Sequence, residues 1–205
     1  MRLNVPTLLT WLRIVMIPLV IGVFYLPGPW LTSWQRNLIA TVVFAVAAIT
    51  DWLDGYLARK LNQQSAFGAF LDPVADKLMI AATLIVLVEL QRVNALIAFV
   101  IIGREIAISA MREWMAKIGQ SRSVAVNFLG KVKTISQMIA VPLLLYHDRI
   151  GPLNPQRIGT WLIYLAAILT LVSMVNYLQR AMAPRPPGDR RRSIDRRGRV
   201  RKIPL

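Results

Sequence analysis

The run LLTWLRIVMIPLVIGVFYL, from Leu8 to Leu26, holds a single charge, Arg13. As a helix rising 1.5 Å per residue, a stretch of about 20 apolar residues crosses the hydrocarbon core of a bilayer. Comparable runs recur down the chain, and 56% of its 205 residues are hydrophobic, with a mean hydropathy of +0.50. An ordinary soluble domain rarely carries so much apolar sequence in such long runs. The pattern predicts an integral membrane protein.

Six helical spans account for the runs. They are expected at Leu8–Leu26, at about 35–60, 73–90, 94–118 and 132–146, and at about 158–178. The preceding NVPT reads as a short interfacial helix entry, with Asn4 as its cap and Pro6 in the first turn. A cleaved leader is the rival reading of the first run, but it lacks a small-x-small cleavage site and many spans follow it. No strand pattern or internal repeat stands out. The expected fold is therefore all-α and polytopic, with six transmembrane helices and a short N-terminal interfacial helix over residues 1–183. With both termini inside, the outer loops hold only Arg36, Arg92, Arg149 and Arg157, and the other basic residues fall on the cytoplasmic side.

Against this apolar background, DWLDGYLARKLNQQSAFGAFLDPVADK (residues 51–77) spends four of the ten acidic residues on one segment: Asp51, Asp54, Asp72 and Asp76. Asp51 and Asp54 are three apart and Asp72 and Asp76 four apart, so each pair shares a helix face. An antiparallel hairpin would bring the pairs together across the loop LNQQSAFGA. Four ionised carboxylates at close range repel one another unless cations intervene. With no cysteine and one histidine, His147, the donor set is oxygen, which suits Mg²⁺ or Mn²⁺, and four carboxylates suffice for two ions. Ordinary helix-end chemistry is the alternative. Asp72 before Pro73 makes an N-cap, Asp76 beside Lys77 an interfacial charge, and Asp54 with Arg59 a local ion pair. Gly55 and Ala58 leave room for a ligand or for another helix, and Gly68 suits a loop backbone. Arg59 stands one turn beyond Gly55, where a guanidinium forks two phosphate oxygens.

The segment resembles the signature of the CDP-alcohol phosphotransferase family, D-x-x-D-G-x-x-A-R, a spacer, then G-x-x-x-D-x-x-x-D. Asp51, Asp54, Gly55, Ala58, Arg59, Gly68, Asp72 and Asp76 match its fixed positions. The resemblance implies transfer of a phosphate-linked group from a CDP-linked donor to an alcohol, with release of CMP. It also implies two divalent metal ions, Mg²⁺ or Mn²⁺, held by the four aspartates. Asp76 would deprotonate the acceptor hydroxyl, Gly55, Ala58, Arg59 and Gly68 would form the nucleotide site, and the enzyme would be a homodimer.

The strings NVPTLLTWLR, FGAFLDPVADK, GREIAISAMREWMA and VAVNFLGKVKTISQM resemble the phosphatidylglycerophosphate synthase branch of that family. That branch implies CDP-diacylglycerol as donor, glycerol 3-phosphate as acceptor, and a bacterial cytoplasmic membrane with the active site on its inner face. A dianionic acceptor calls for basic residues. Arg104 and Arg112 on the fourth helix are candidates, lying about 80° apart around its axis by the 3.6-residue period. Pairing with Glu105, Glu113 or the aspartate cluster is the competing role for them. Of Lys131 and Lys133, which point apart in a helix, Lys131 is the expected acceptor contact and Lys133 faces lipid headgroups. Arg13 could also approach the site, but snorkelling to the interface is the favoured reading.

The tail, residues 184–205, carries nine Lys/Arg against two Asp, +7 of the +15 total. It is expected to be disordered and attracted to anionic membrane lipids. Nothing beyond charge suggests nucleic acid. Two other functions compete: the same chemistry with inositol phosphate or serine as acceptor, and divalent-cation transport through the four carboxylates.

Overall fold

The computed structural model describes residues 5–61, 66–117, 128–182, 193–194 and 200–201. Its body is six helices: α1 (Val5–Tyr25), α2 (Ser33–Leu61), α3 (Ala66–Glu89), α4 (Ala95–Lys117), α5 (Phe128–Tyr146) and α6 (Pro155–Met182). In the tail, β1 (Ser193–Ile194) pairs antiparallel with β2 (Val200–Arg201), with Ile194 opposite Val200.

Helix ends follow side-chain chemistry. Thr32 and Gln35 form a reciprocal capping box at the start of α2. The Thr32 amide donates to Gln35 Oε1 at 2.8 Å, and the Gln35 amide donates to Thr32 Oγ1 at 3.3 Å. Asn94 caps α4, accepting from the Leu96 amide at 2.8 Å. Asn154 caps α6, with Pro155 at the first helical position. α3 closes in a Schellman turn, with Gln91 in the left-handed conformation (φ 57°) and the Arg92 amide donating to the Leu87 carbonyl at 2.8 Å.

Two sequence expectations change. From Val5 onward α1 is one continuous helix, so no separate interfacial helix exists among the described residues, and Asn4 lies outside them. Pro6 sits in the first turn, where its missing N–H has no intrahelical partner to lose. α3 starts at Ala66 instead of at Pro73, which puts Pro73 inside the helix and Gly68 in its first turn. Asp72 is therefore not an N-cap. Pro73 removes one helical hydrogen bond, and packing of α3 against α1 holds the turn.

α1 packs against both α2 and α3, and α5 packs against α2, α3 and, most extensively, α6. α4 lies against α3 and α6. Among the described residues α2 and α3 hardly meet directly, so the expected hairpin is a pair of helices separated by a cleft. Val20, Phe44, Leu84, Leu87, Ile101, Leu144 and Ile163 form the shared core. Gly159 permits the close approach of α6 to α5, since a Cβ there would sit 2.8 Å from Leu144 Cγ and 3.1 Å from the Ala140 carbonyl oxygen.

α1 and α6 hold stretches long and apolar enough to cross a membrane, Leu8–Tyr25 and Pro155–Val175. Large apolar side chains on several helices face outward, among them Leu19, Ile85, Phe99, Trp161 and Ile168. Such a surface is foreign to a soluble monomer and suits hydrocarbon.

One end of the bundle is tied by polar contacts. Arg92 donates to the Leu144 and Leu145 carbonyls (3.2 and 2.7 Å) and to Asn37 Oδ1 (2.7 Å), and its guanidinium lies 5.8 Å from the Phe24 ring centre. Asn37 in turn donates to Asp148 at 2.9 Å. These contacts join the ends of α1, α3 and α5 to the start of α2. Beside them, burial pulls the His147 imidazole below its ordinary pKa. The Arg92 charge adds to the effect and Asp148 opposes it.

Candidate active site

Another set of charged side chains lies toward the opposite end of the bundle. Arg13, one turn after Thr10 on α1, is 2% exposed, and its Nη1 lies 2.5 Å from Asp51 Oδ1 on α2. This corrects the snorkelling expectation: the guanidinium turns inward because α1 packs between the two acidic helices. Thr10 is also buried and donates from Oγ1 to Asp72 Oδ1 on α3 at 2.5 Å. Arg13, Asp51 and Asp76 line one cleft, walled by Phe44, Ala47 and Ala48 of α2, Met79 and Ile80 of α3 and Met138 of α5.

Three of the four predicted aspartates are thus placed. Asp51 and Asp76 face a common cleft from different helices, and Asp72 is one turn before Asp76, fastened to α1. Asp54, Gly55, Ala58 and Arg59 continue along α2, but their side chains lie outside the described residues. Gly68 is buried in the first turn of α3, not in a loop. Among the described residues no three acidic groups stand close enough to hold a metal ion. The donor chemistry nevertheless fits a hard divalent cation, since the carboxylates bordering the cleft are oxygen donors of net negative charge.

A second charged cluster lies deeper, between α4, α5 and α6. Lys133, 2% exposed, pairs with Glu105, and Arg104, 8% exposed, approaches the same Glu105 oxygen at 3.3 Å. Arg104 also donates to Ser173 Oγ of α6 at 3.1 Å. Lys133 is therefore inside the bundle, and its expected place among lipid headgroups is corrected. α5 begins at Phe128, so Lys133 lies within the helix, where it meets Glu105 of α4. Glu105 and Lys77 border a cavity of about 100 Å³ between α3 and α4, otherwise lined by Leu78, Ile80, Ala81, Ile102 and Ile106. The side chains of Arg112 and Lys131 lie outside the described residues.

Sequence reading undervalued Arg13, Thr10 and Lys133. The signal for Arg13 was present: a lone cation in the apolar run Leu8–Leu26 needs a partner, and the acidic segment supplies one. Thr10 gave no such signal.

Residues 3–172 match the family model described as CDP-alcohol phosphatidyltransferase. Similar proteins include the CDP-diacylglycerol–glycerol-3-phosphate 3-phosphatidyltransferase of Shigella flexneri, 47% identical over 185 residues, covering 89% of this chain and 97% of that one. The enzyme of the same name from Escherichia coli has the same identity and coverage. That of Salmonella choleraesuis is 46% identical over 183 residues, 88% of this chain and 96% of its own. With the complete aspartate signature carried on two helices that share one cleft, and a match over most of its length, the chain belongs to the CDP-alcohol phosphatidyltransferase family.

Proposed function

We propose that the chain transfers the phosphatidyl group from CDP-diacylglycerol to glycerol 3-phosphate, giving phosphatidylglycerophosphate and CMP. The observation that carries the proposal is the shared cleft of Asp51 and Asp76, one from each half of the signature. The names of relatives 46–47% identical over most of the chain support the donor and acceptor.

Asp51, Asp54, Asp72 and Asp76 hold two divalent ions, Mg²⁺ or Mn²⁺. When bound, these neutralise the pyrophosphate and stabilise the leaving phosphate. Gly55, Ala58, Arg59 and Gly68 form the cytidine-diphosphate site. Asp76 takes the proton from the acceptor hydroxyl. The hydroxyl oxygen bonds to the phosphorus that bears the diacylglycerol, the bond from that phosphorus to the bridging oxygen breaks, and CMP leaves. Arg104, Arg112, Lys131 and Lys133 supply the positive charge that receives the acceptor's phosphate, and Glu105 offsets only one of the two charges of Lys133 and Arg104 beforehand.

The six helices span the bacterial inner membrane with both termini and the active site cytoplasmic, a reading supported by the sparse basic residues of the other side. Residues 1–183 are the catalytic body, working as a homodimer, and residues 184–205 a basic tail attracted to anionic lipid. Family membership displaces the cation-transport alternative. The test of the acceptor is CMP release from CDP-diacylglycerol by purified protein, with glycerol 3-phosphate, inositol phosphate and serine offered separately. Release is expected only with glycerol 3-phosphate, and release with another alcohol alone would replace the acceptor.

A further inference from the structure

Thr10 and Arg13 stand outside the aspartate signature, yet they touch both halves of it. Three residues apart, they share a face of α1. Thr10 Oγ1 donates to Asp72 of α3 at 2.5 Å, and Arg13 Nη1 meets Asp51 of α2 at 2.5 Å. The two α1 side chains are 1% and 2% exposed, whereas the Asp51 side chain is 37% exposed, so a buried donor holds a carboxylate that still reaches the surface. α1 packs against α2 and α3, which hardly meet each other among the described residues. One face of one helix thus reaches across the cleft to both acidic segments.

We propose that Thr10 and Arg13 are positioning residues that fix the separation and orientation of Asp51 and Asp72 for divalent-ion binding. The proposal rests on the reading of those aspartates as ion-holding groups. A carboxylate with one oxygen held in a short hydrogen bond presents its other oxygen in a set direction. Outer partners of this kind typically govern metal affinity by about 10–100-fold. Arg13 acts in two opposed ways, since its charge repels a cation while its geometry aligns Asp51. Arg13→Lys keeps the charge and removes the planar fork, which isolates the geometric part. Thr10→Val removes a hydroxyl at nearly constant shape and no change of charge.

The experiment is Mn²⁺ titration of the purified full-length protein without substrate, following free Mn²⁺ by electron paramagnetic resonance. Wild type, Thr10→Val, Thr10→Ser, Arg13→Lys and Asp72→Asn are compared, with thermal midpoints measured alongside. Thr10→Val and Arg13→Lys are expected to weaken Mn²⁺ binding by about tenfold or more, while Thr10→Ser stays within about twofold of wild type. Thr10→Ala replaces the valine variant should that one fail to fold. Wild-type Mn²⁺ affinity in folded Thr10 and Arg13 variants, with lowered midpoints alone, overturns the proposal and leaves the two residues as packing. Absence of Mn²⁺ binding by wild type, or unchanged binding by Asp72→Asn, overturns the underlying reading of the aspartates instead.

Discussion

Lys133 of α5 and Glu105 of α4 form an ion pair inside the helix bundle, and Arg104 approaches the same carboxylate oxygen at 3.3 Å. Two buried cations sharing one carboxylate leave positive charge for a further anion. Lys133→Met is expected to raise the KM for glycerol 3-phosphate by about 10–100-fold with a smaller change in kcat. That is the effect of losing one charge-assisted hydrogen bond of about 1.5–3 kcal/mol. Steady-state kinetics with varied acceptor checks this, and an unchanged KM would remove Lys133 from the acceptor site.

Packing of α5 against α6 depends on the absence of a side chain at Gly159. A methyl group there meets Leu144 and the Ala140 carbonyl at distances that force a shift. Gly159→Ala is expected to destabilise the protein by about 1–3 kcal/mol, as overpacking does. A lowered thermal midpoint in detergent would show it, and an unchanged midpoint would mean that the helices separate at little cost.

Much of this architecture was legible because the constraints were one-dimensional. Apolar run length marks helices in a lipid-like setting, so α2, α4 and α6 lie close to where the runs place them. The fixed spacing of Asp51, Asp54, Asp72 and Asp76 announced the family before any geometry. The start of α3 was obscured by Pro73, which usually opens a helix but here lies within one. Arg13 and Lys133 were misplaced for a different reason. Their orientation is decided by which helix packs between which, and no local signal carries that. The contacts Thr10–Asp72 and Glu105–Lys133 likewise exist only across helices, whereas the neighbouring pair Arg104–Glu105 was legible in the sequence.

At the far end of the bundle, His147 gives a pH dependence of known sign. Burial and the Arg92 charge hold its pKa below the ordinary value of about 6.5, with Asp148 opposing. The unfolded chain therefore takes up a proton first. The stability tied to neutral His147 is fully present above about pH 6.5 and is lost as pH falls through the lower folded value. His147→Asn accepts the same left-handed backbone (φ 60°) and does not titrate there. Its thermal midpoint is expected to fall less than that of wild type between pH 7.5 and pH 5. Equal losses in the two proteins would show that His147 does not contribute.

The proposed reaction gives Asp76 two roles, at the ion site and at the acceptor proton. The most direct measurement is CMP release from CDP-diacylglycerol and glycerol 3-phosphate by wild type and by Asp76→Asn, each with Mg²⁺ or Mn²⁺ and with EDTA. Wild type is expected to release CMP only with the divalent ion. Asp76→Asn, folded as judged by its thermal midpoint, is expected to fall by about a hundredfold or more, the scale of a lost general base. CMP release that survives both EDTA and Asp76→Asn would contradict the account.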